Sequence, residues 1–178
     1  MRKKKIIDYN FYDTCSLLLK LDSLFNEDEP PFAISSITLN ELEEIKTDNR
    51  RDPDVKYAAR KLLHLLDEHR GEYDIHIFTE NMLDPIKEKQ LSITNDIKIL
   101  ATAFDYDNNI HPDETVFVTN DLALKEIANL FFGDGCIESV DEDFDDDYNG
   151  YKEVYMDNDE MEYFYSNPSE NIYELYDN

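Results

Sequence analysis

A chain of 178 residues, 41% of them hydrophobic, is long enough for one compact domain with a sizeable core and a small appendage. Its 42 acidic residues against 17 basic ones give a formal charge of −25, which argues against a broad nonspecific grip on nucleic acid. The two cysteines, Cys15 and Cys136, are too few and too far apart for a disulfide framework or a zinc site, and no run approaches the ~20 apolar residues of a membrane span.

In chain order, Lys5 to Tyr12 reads as a strand and Thr14 to Leu24 as a helix, with Leu17, Leu18, Leu21 and Leu24 at helical spacing. A polar loop from Asn26 to Pro31 leads to a short strand, Phe32 to Ile37. Leu39 to Lys46 reads as a helix, Asp48 to Asp54 as a charged loop, and Pro53 as the opening of a helix that runs to about His69 and stops at Gly71. "YDIHIF", Tyr73 to Phe78, is the third expected strand, followed by a loop. Ile97, Leu100, Ala101 and Phe104 recur at the spacing of one helical face. Val116 to Val118 is a strand, Leu122 to Phe131 a helix, Gly133 to Gly135 a turn, and Cys136 to Val140 a last strand. Strands alternating with helices predict an α/β domain with a mainly parallel sheet. From Asp141 the chain becomes acidic and tyrosine-rich, so the expected domain spans 1–140 and an acidic extension spans 141–178.

The charge is uneven. Lys3, Lys4, Lys5, Lys46, Arg50, Arg51, Lys56, Arg60, Lys61 and Arg70 fall in the first part of the chain, and the acids crowd its end. A basic face is therefore compatible with the negative total. No signal-peptide pattern is visible, so a cytoplasmic location with free thiols is expected.

Four acids stand out: Asp13, Glu41, Asp96 and Asp121. Each has an ordinary structural use. Asp13 and Asp121 follow strands and can cap the next helix, and Asp96 lies in a first helical turn, where the dipole favours an anion. Thr38 to Glu41 has the form of a capping box. Together they say more, because in an open α/β sheet ligands bind in the crevice outside the carboxyl ends of the strands. Asp13 and Asp121 should both reach that edge. Carboxylates gathered there repel one another unless a cation joins them, and hard oxygen ligands suit Mg²⁺ or Mn²⁺. Such a cation can activate water and stabilise charge on a phosphate in transfer.

"YDTCSLL", "SSITLNELEEIK", "NDIKILATA" and "VFVTNDLALKEIA" carry these four acids, and in their order and spacing the sequence resembles PIN domains, small metal-dependent ribonucleases. The resemblance covers about Lys5 to Val140 and is strongest to the PIN domain at the front of PhoH-family proteins. It implies a three-layer α/β/α fold with a mainly parallel five-stranded sheet. It also implies Asp13, Glu41, Asp96 and Asp121 around one or two Mg²⁺ or Mn²⁺ ions, with Thr119 orienting the site. On that basis Asp13 and Asp121 bind metal directly, Asp96 directly or through water, and Glu41 holds or deprotonates the attacking water. The expected reaction is hydrolysis of single-stranded RNA, leaving a 5′-phosphate and a 3′-hydroxyl. Lys46, Arg50, Arg51 and Lys56, which follow the Glu41 helix, would hold the RNA backbone; the alternative is an ordinary solvated loop. Cys15 departs from the Asn or Ser often found in the family, and a thiol is a poorer hydrogen-bond donor. Asn120 is expected to support the site rather than bind metal.

Other patterns carry less. His64, His69, His76 and His111 show no ligand spacing with a partner acid and read as structural. Asp145 to Gly150 imitates the start of an EF-hand loop, but Met156 stands where the bidentate Glu belongs and flanking helices are missing. "YNGYKEVYMDNDEMEYFY" is similar to the start of the β-rich module that follows the PIN domain in PhoH-like proteins, but the chain has no P-loop. Two rival readings follow from the charge: a PIN fold used as a binding or scaffolding module, and an acidic nucleic-acid mimic that occupies a basic partner. A toxin with a cognate antitoxin, a homodimer and a protein partner for the acidic tail are all compatible with the sequence, as is a stand-alone protein or the front of a longer one.

Overall fold

The computed structural model of the chain describes residues 9–133 and 136–140. Lys3 to Lys5, the first part of the first expected strand, the EF-hand-like run and the tyrosine-rich extension lie outside the described residues.

Five parallel strands form one sheet in the order β3-β2-β1-β4-β5. They are β1 (Tyr9–Tyr12), β2 (Phe32–Ser35), β3 (Asp74–His76), β4 (Thr115–Val118) and β5 (Ile137–Glu138). Six α-helices accompany them: α1 (Thr14–Lys20), α2 (Ser36–Thr47), α3 (Pro53–Glu68), α4 (Asp84–Glu88), α5 (Asn95–Asn109) and α6 (Leu122–Ala128). Among the described residues no helix is long and apolar enough to cross a membrane.

The two-residue period of the strands sorts the core into two layers. Phe11, Ala33 and Phe117 point to one face and pack with Ile97, Leu100 and Ala103 of α5 and Leu124 of α6. Tyr12, Ile34, Val116 and Val118 point to the other, against Leu17 of α1, Leu42 of α2 and Leu62 of α3. Strands β2 and β4 are buried on both faces, which is why their sequences do not alternate but run apolar apart from Ser35 and Thr115 at their ends. Asn10 shares the Tyr12 face and donates to the Tyr12 hydroxyl at 3.0 Å, satisfying a buried amide. The three-layer parallel architecture expected from the sequence is the one observed.

Several boundaries differ. The second strand ends at Ser35 rather than Ile37, because the Ser35 hydroxyl accepts from Ile37 N at 3.1 Å and starts α2 three residues early. Thr38 is therefore not a cap. It lies on the buried side of α2, and its hydroxyl has no partner among the described residues, so the capping box with Glu41 does not form. The segment after the third strand, where a loop is expected, contains a 3₁₀ turn, Glu80–Leu83, and α4. Pro85 opens α4 and Leu83 and Ile86 bury beneath it, but five residues are too few to show a helical period. The last expected helix, over 122–131, stops at Ala128, and the third and fifth strands are shorter than expected.

Strand order places the site. From β1 the chain proceeds outward through β2 to β3, and β4 returns on the opposite side of β1. The carboxyl ends of β1 and β4 thus flank the switch point where open α/β sheets leave a crevice. Tyr12 pairs with Val118, so Asp13 and Thr119 emerge side by side.

Candidate active site

Asp13 leaves β1 and enters α1 with extended backbone and a buried carboxylate. Its Oδ1 accepts from Ser16 N at 2.7 Å, which caps α1. Its Oδ2 accepts from the Thr119 hydroxyl at 2.6 Å, across the switch point. Thr119 is wholly buried, and its Oγ1 accepts from Asp121 N at 3.1 Å. One hydroxyl therefore sets both the Asp13 carboxylate and the turn that presents Asp121. Asp121 caps α6, its Oδ1 accepting from Ala123 N and Leu124 N at 2.7 and 3.0 Å, while its side chain lies in an exposed position.

Glu41 stands at mid-length on α2, and its Oε2 accepts from the Thr14 hydroxyl at 2.5 Å, which ties it to the start of α1. Asp96 lies in the first turn of α5, behind the Thr94 cap. Partial burial holds the Asp96 carboxyl above the usual range, and the negative charges of Asp121 and Asp13 add to the shift. Cys15 lies among all four acids. Burial pushes its thiol up first, and the charges of Asp13, Asp96, Glu41 and Asp121 push it further, so it is held neutral. Asp13, Glu41, Asp96 and Asp121 are thus brought into one electrostatic neighbourhood.

None of the four acids joins an ion pair among the described residues. They supply only hard oxygen donors, and Glu41 Oε1 and Asp121 Oδ2 carry no hydrogen bond there. That donor set and its uncompensated charge fit a hard divalent cation. The side chains as placed do not close into a ligand set, since among the described residues no three His, Cys, Asp or Glu groups converge tightly enough to hold an ion.

The surrounding polar network was not visible in the sequence. Asn120 N donates to Ser16 Oγ at 3.1 Å, and Asn120 exchanges two bonds with the Val140 backbone, at 2.8 and 3.0 Å. Asn120 therefore fastens the end of the sheet to α1, a supporting part. Ser139 donates to Thr119 O at 3.0 Å and accepts from Lys125 Nζ at 2.9 Å. Thr14 and Ser16 are the positioning residues missed; their only sequence signal is a pair of hydroxyls just after the strand-ending Asp13.

The basic residues lie elsewhere. Lys46 pairs with Glu43, Arg50 with Asp48 at 3.1 Å, and Lys56 approaches Asn49 Oδ1 at 3.5 Å; Arg51 is exposed. Among the described residues, none bonds to the four acids. The histidines find partners that spacing did not announce: His76 Nε2 is 2.8 Å from Asp105, and His69 and His111 stack on Phe25 and Tyr9. These contacts join β3 to α5, the end of α3 to the segment after α1, and β1 to the segment after α5, and none involves the four acids.

The sequence model of the PIN domain matches residues 11–131, which is most of the chain, and the chain therefore belongs to the PIN domain family, whose members are generally nucleases. The match bears on the family and not on its PhoH-type branch. Among solved structures, the chain is similar to a member of the VapBC family of toxin–antitoxin systems from Mycobacterium tuberculosis, at 17% identity and a TM-score of 0.45, covering 74% of this chain and 96% of that one. No curated protein matches the chain.

Proposed function

We propose that the chain is a metal-dependent ribonuclease that hydrolyses phosphodiester bonds of single-stranded RNA, with a nuclease domain over residues 1–140 and the acidic extension outside it. The observation that carries this reading is the gathering of Asp13, Glu41, Asp96 and Asp121 at the switch point with no cationic partner among the described residues. Structural caps do not need to share one neighbourhood, and unpaired like charges there cost stability.

Asp13, Glu41, Asp96 and Asp121 would hold Mg²⁺ or Mn²⁺. When bound, such a cation supplies charge neutralisation at the phosphate and a more acidic water. The chain's own groups do the rest. Thr119 fixes Asp13 Oδ2 and the Asp121 turn together, so the two strand-end carboxylates keep one spacing. The Thr14 hydroxyl holds Glu41 Oε2, leaving Oε1 to take the proton of the attacking water. Burial of Asp13 and Thr119 keeps bulk water from competing for these bonds.

Lys46, Arg50, Arg51 and Lys56 serve the RNA backbone in this account. The Asp48 and Glu43 contacts are surface pairs of small worth, so phosphates can displace them. Replacing Arg50 and Arg51 together by Ala should raise KM several-fold, leave kcat near wild type, and flatten the salt dependence of binding by about two counterions. An unchanged salt slope would return these residues to an ordinary solvated loop.

A second reading, a binding module with a silent site, is favoured by the charge of −25 and by the open spacing of the acids. Cation binding separates the two. Asp96 has a folded-state pKa raised above its unfolded value, so its contribution to stability is present in acid and lost as pH rises through the raised pKa. In EDTA, Asp96→Asn should therefore melt above wild type at pH 7, with the gap closing on acidification. Added Mn²⁺ should raise the wild-type Tm at pH 7 and raise that of Asp96→Asn less. A wild-type Tm indifferent to millimolar Mn²⁺ and Mg²⁺ would favour the silent module.

A further inference from the structure

Two cavities adjoin the carboxylates, and Asp121 lies in the wall of both. The first, about 540 Å³, opens between α1 and α3 and is walled by Cys15, Leu18, Leu19, Val55 and Ala58, with Asp54 among its few polar groups. The second, about 330 Å³, lies on the other side of Asp121, between the segment before α5 and helix α6. Leu91, Ile97, Leu124 and Ile127 wall it, with Ser92 and Asp96 among its polar residues. Both volumes fall in the ~300–1,000 Å³ range of small-molecule sites.

Neither cavity is lined by a lysine or arginine, and each contains at least one carboxylate besides Asp121. A phosphate is repelled from such a pocket. What it accepts is a neutral group with apolar faces and N–H donors on its edge. A nucleobase has that chemistry, and single-stranded RNA splays its bases into apolar pockets of this kind. The shared Asp121 sets the arrangement: a phosphate held at the carboxylates would have one cavity on each side.

We propose that the two cavities are nucleobase subsites for the residues on either side of the scissile phosphate, so that the unit recognised is a dinucleotide step. The inference rests on the ribonuclease reading. In the first subsite the polar groups of Asn120 are engaged by Ser16 and Val140, which leaves Asp54 to read the base. A carboxylate only accepts, and guanine alone offers it two adjacent N–H donors on its Watson–Crick edge, so this subsite favours guanine.

Cys15 supplies a readout independent of cleavage, because it is exposed and lines the first cavity. The full chain with Mn²⁺ is given labelled single-stranded RNAs in which one abasic nucleotide is stepped past the cut. In parallel, alkylation of Cys15 by iodoacetamide in mildly alkaline buffer, which ionises more of the raised thiol, is followed by mass spectrometry with the dinucleotide GpU or its abasic counterpart. The expected result is that an abasic residue on either side of the cut lowers kcat/KM about tenfold or more, against little effect further away. GpU should slow Cys15 alkylation, and the abasic dinucleotide should not. If RNA is cut but neither abasic flank matters and GpU gives no protection, the subsites are overturned and the ribonuclease reading stands. If no RNA is cut yet GpU alone protects Cys15, the ribonuclease reading falls and base binding stands. If RNA is uncut and Cys15 unprotected, both fall.

Discussion

Asp121→Asn is expected to lower kcat/KM for single-stranded RNA by about 10²–10³-fold while leaving the fold nearly unchanged. The two effects separate because Asp121 does two jobs with different atoms. Its Oδ1 caps α6 through Ala123 N and Leu124 N, and an Asn oxygen caps equally well. The side chain is exposed, so the change buries no new group, and stability should move by less than about 0.5 kcal/mol. What is lost is the negative charge beside Asp13 and Asp96. Steady-state cleavage and a thermal melt on one preparation check both halves. A variant that melts like wild type and cuts like wild type would make Asp121 a cap and nothing more.

Asp13→Ala should cost stability as well as activity, by about 2–4 kcal/mol. The carboxylate is 4% exposed and serves two donors from different parts of the chain. Removing the cap of α1 costs about 1 kcal/mol. The Thr119 hydroxyl and Ser16 N are then left in a buried place, at about 1–3 kcal/mol for an unmet polar group. Against a total of roughly 5–15 kcal/mol, that loss is large. Asp13→Asn keeps an acceptor for Ser16 N and should recover much of the stability without the activity. Urea unfolding of the two variants makes the comparison. Equal stabilities would show that the acceptor for Ser16 N at position 13 contributes little to holding the start of α1.

The difference between these two acids shows what the sequence could reveal. Asp13 and Asp121 were legible because each interrupts an apolar strand run just before a helix begins. The parallel sheet was legible for a related reason, since "TVFV" and "FAIS" are buried on both faces and so read as short unbroken strands. The ordinary structural use expected for Glu41, as partner of Thr38 in a capping box, does not form. Ser35, Ser36 and Thr38 are all competent caps by type; the Ser35 hydroxyl takes the role by accepting from Ile37 N, while the Ser36 hydroxyl accepts from Phe78 N. The bonds that organise the site join residues about a hundred positions apart, such as Thr119 to Asp13 and Asn120 to Ser16, and no periodicity encodes those pairs. Helix α4 escaped because five residues carry too little pattern, and the His76–Asp105 contact because strand and helix meet only in the folded chain.

The central claim is that the four gathered acids make a cation-dependent cutting site, and direct cleavage of a labelled single-stranded RNA tests it best. Wild type should cut with Mn²⁺ or Mg²⁺, stop in EDTA, and resume when the cation is restored, with Asp121→Asn folded but inactive throughout. Wild type that leaves the RNA intact with either cation, or that cuts equally well in EDTA, would contradict the account.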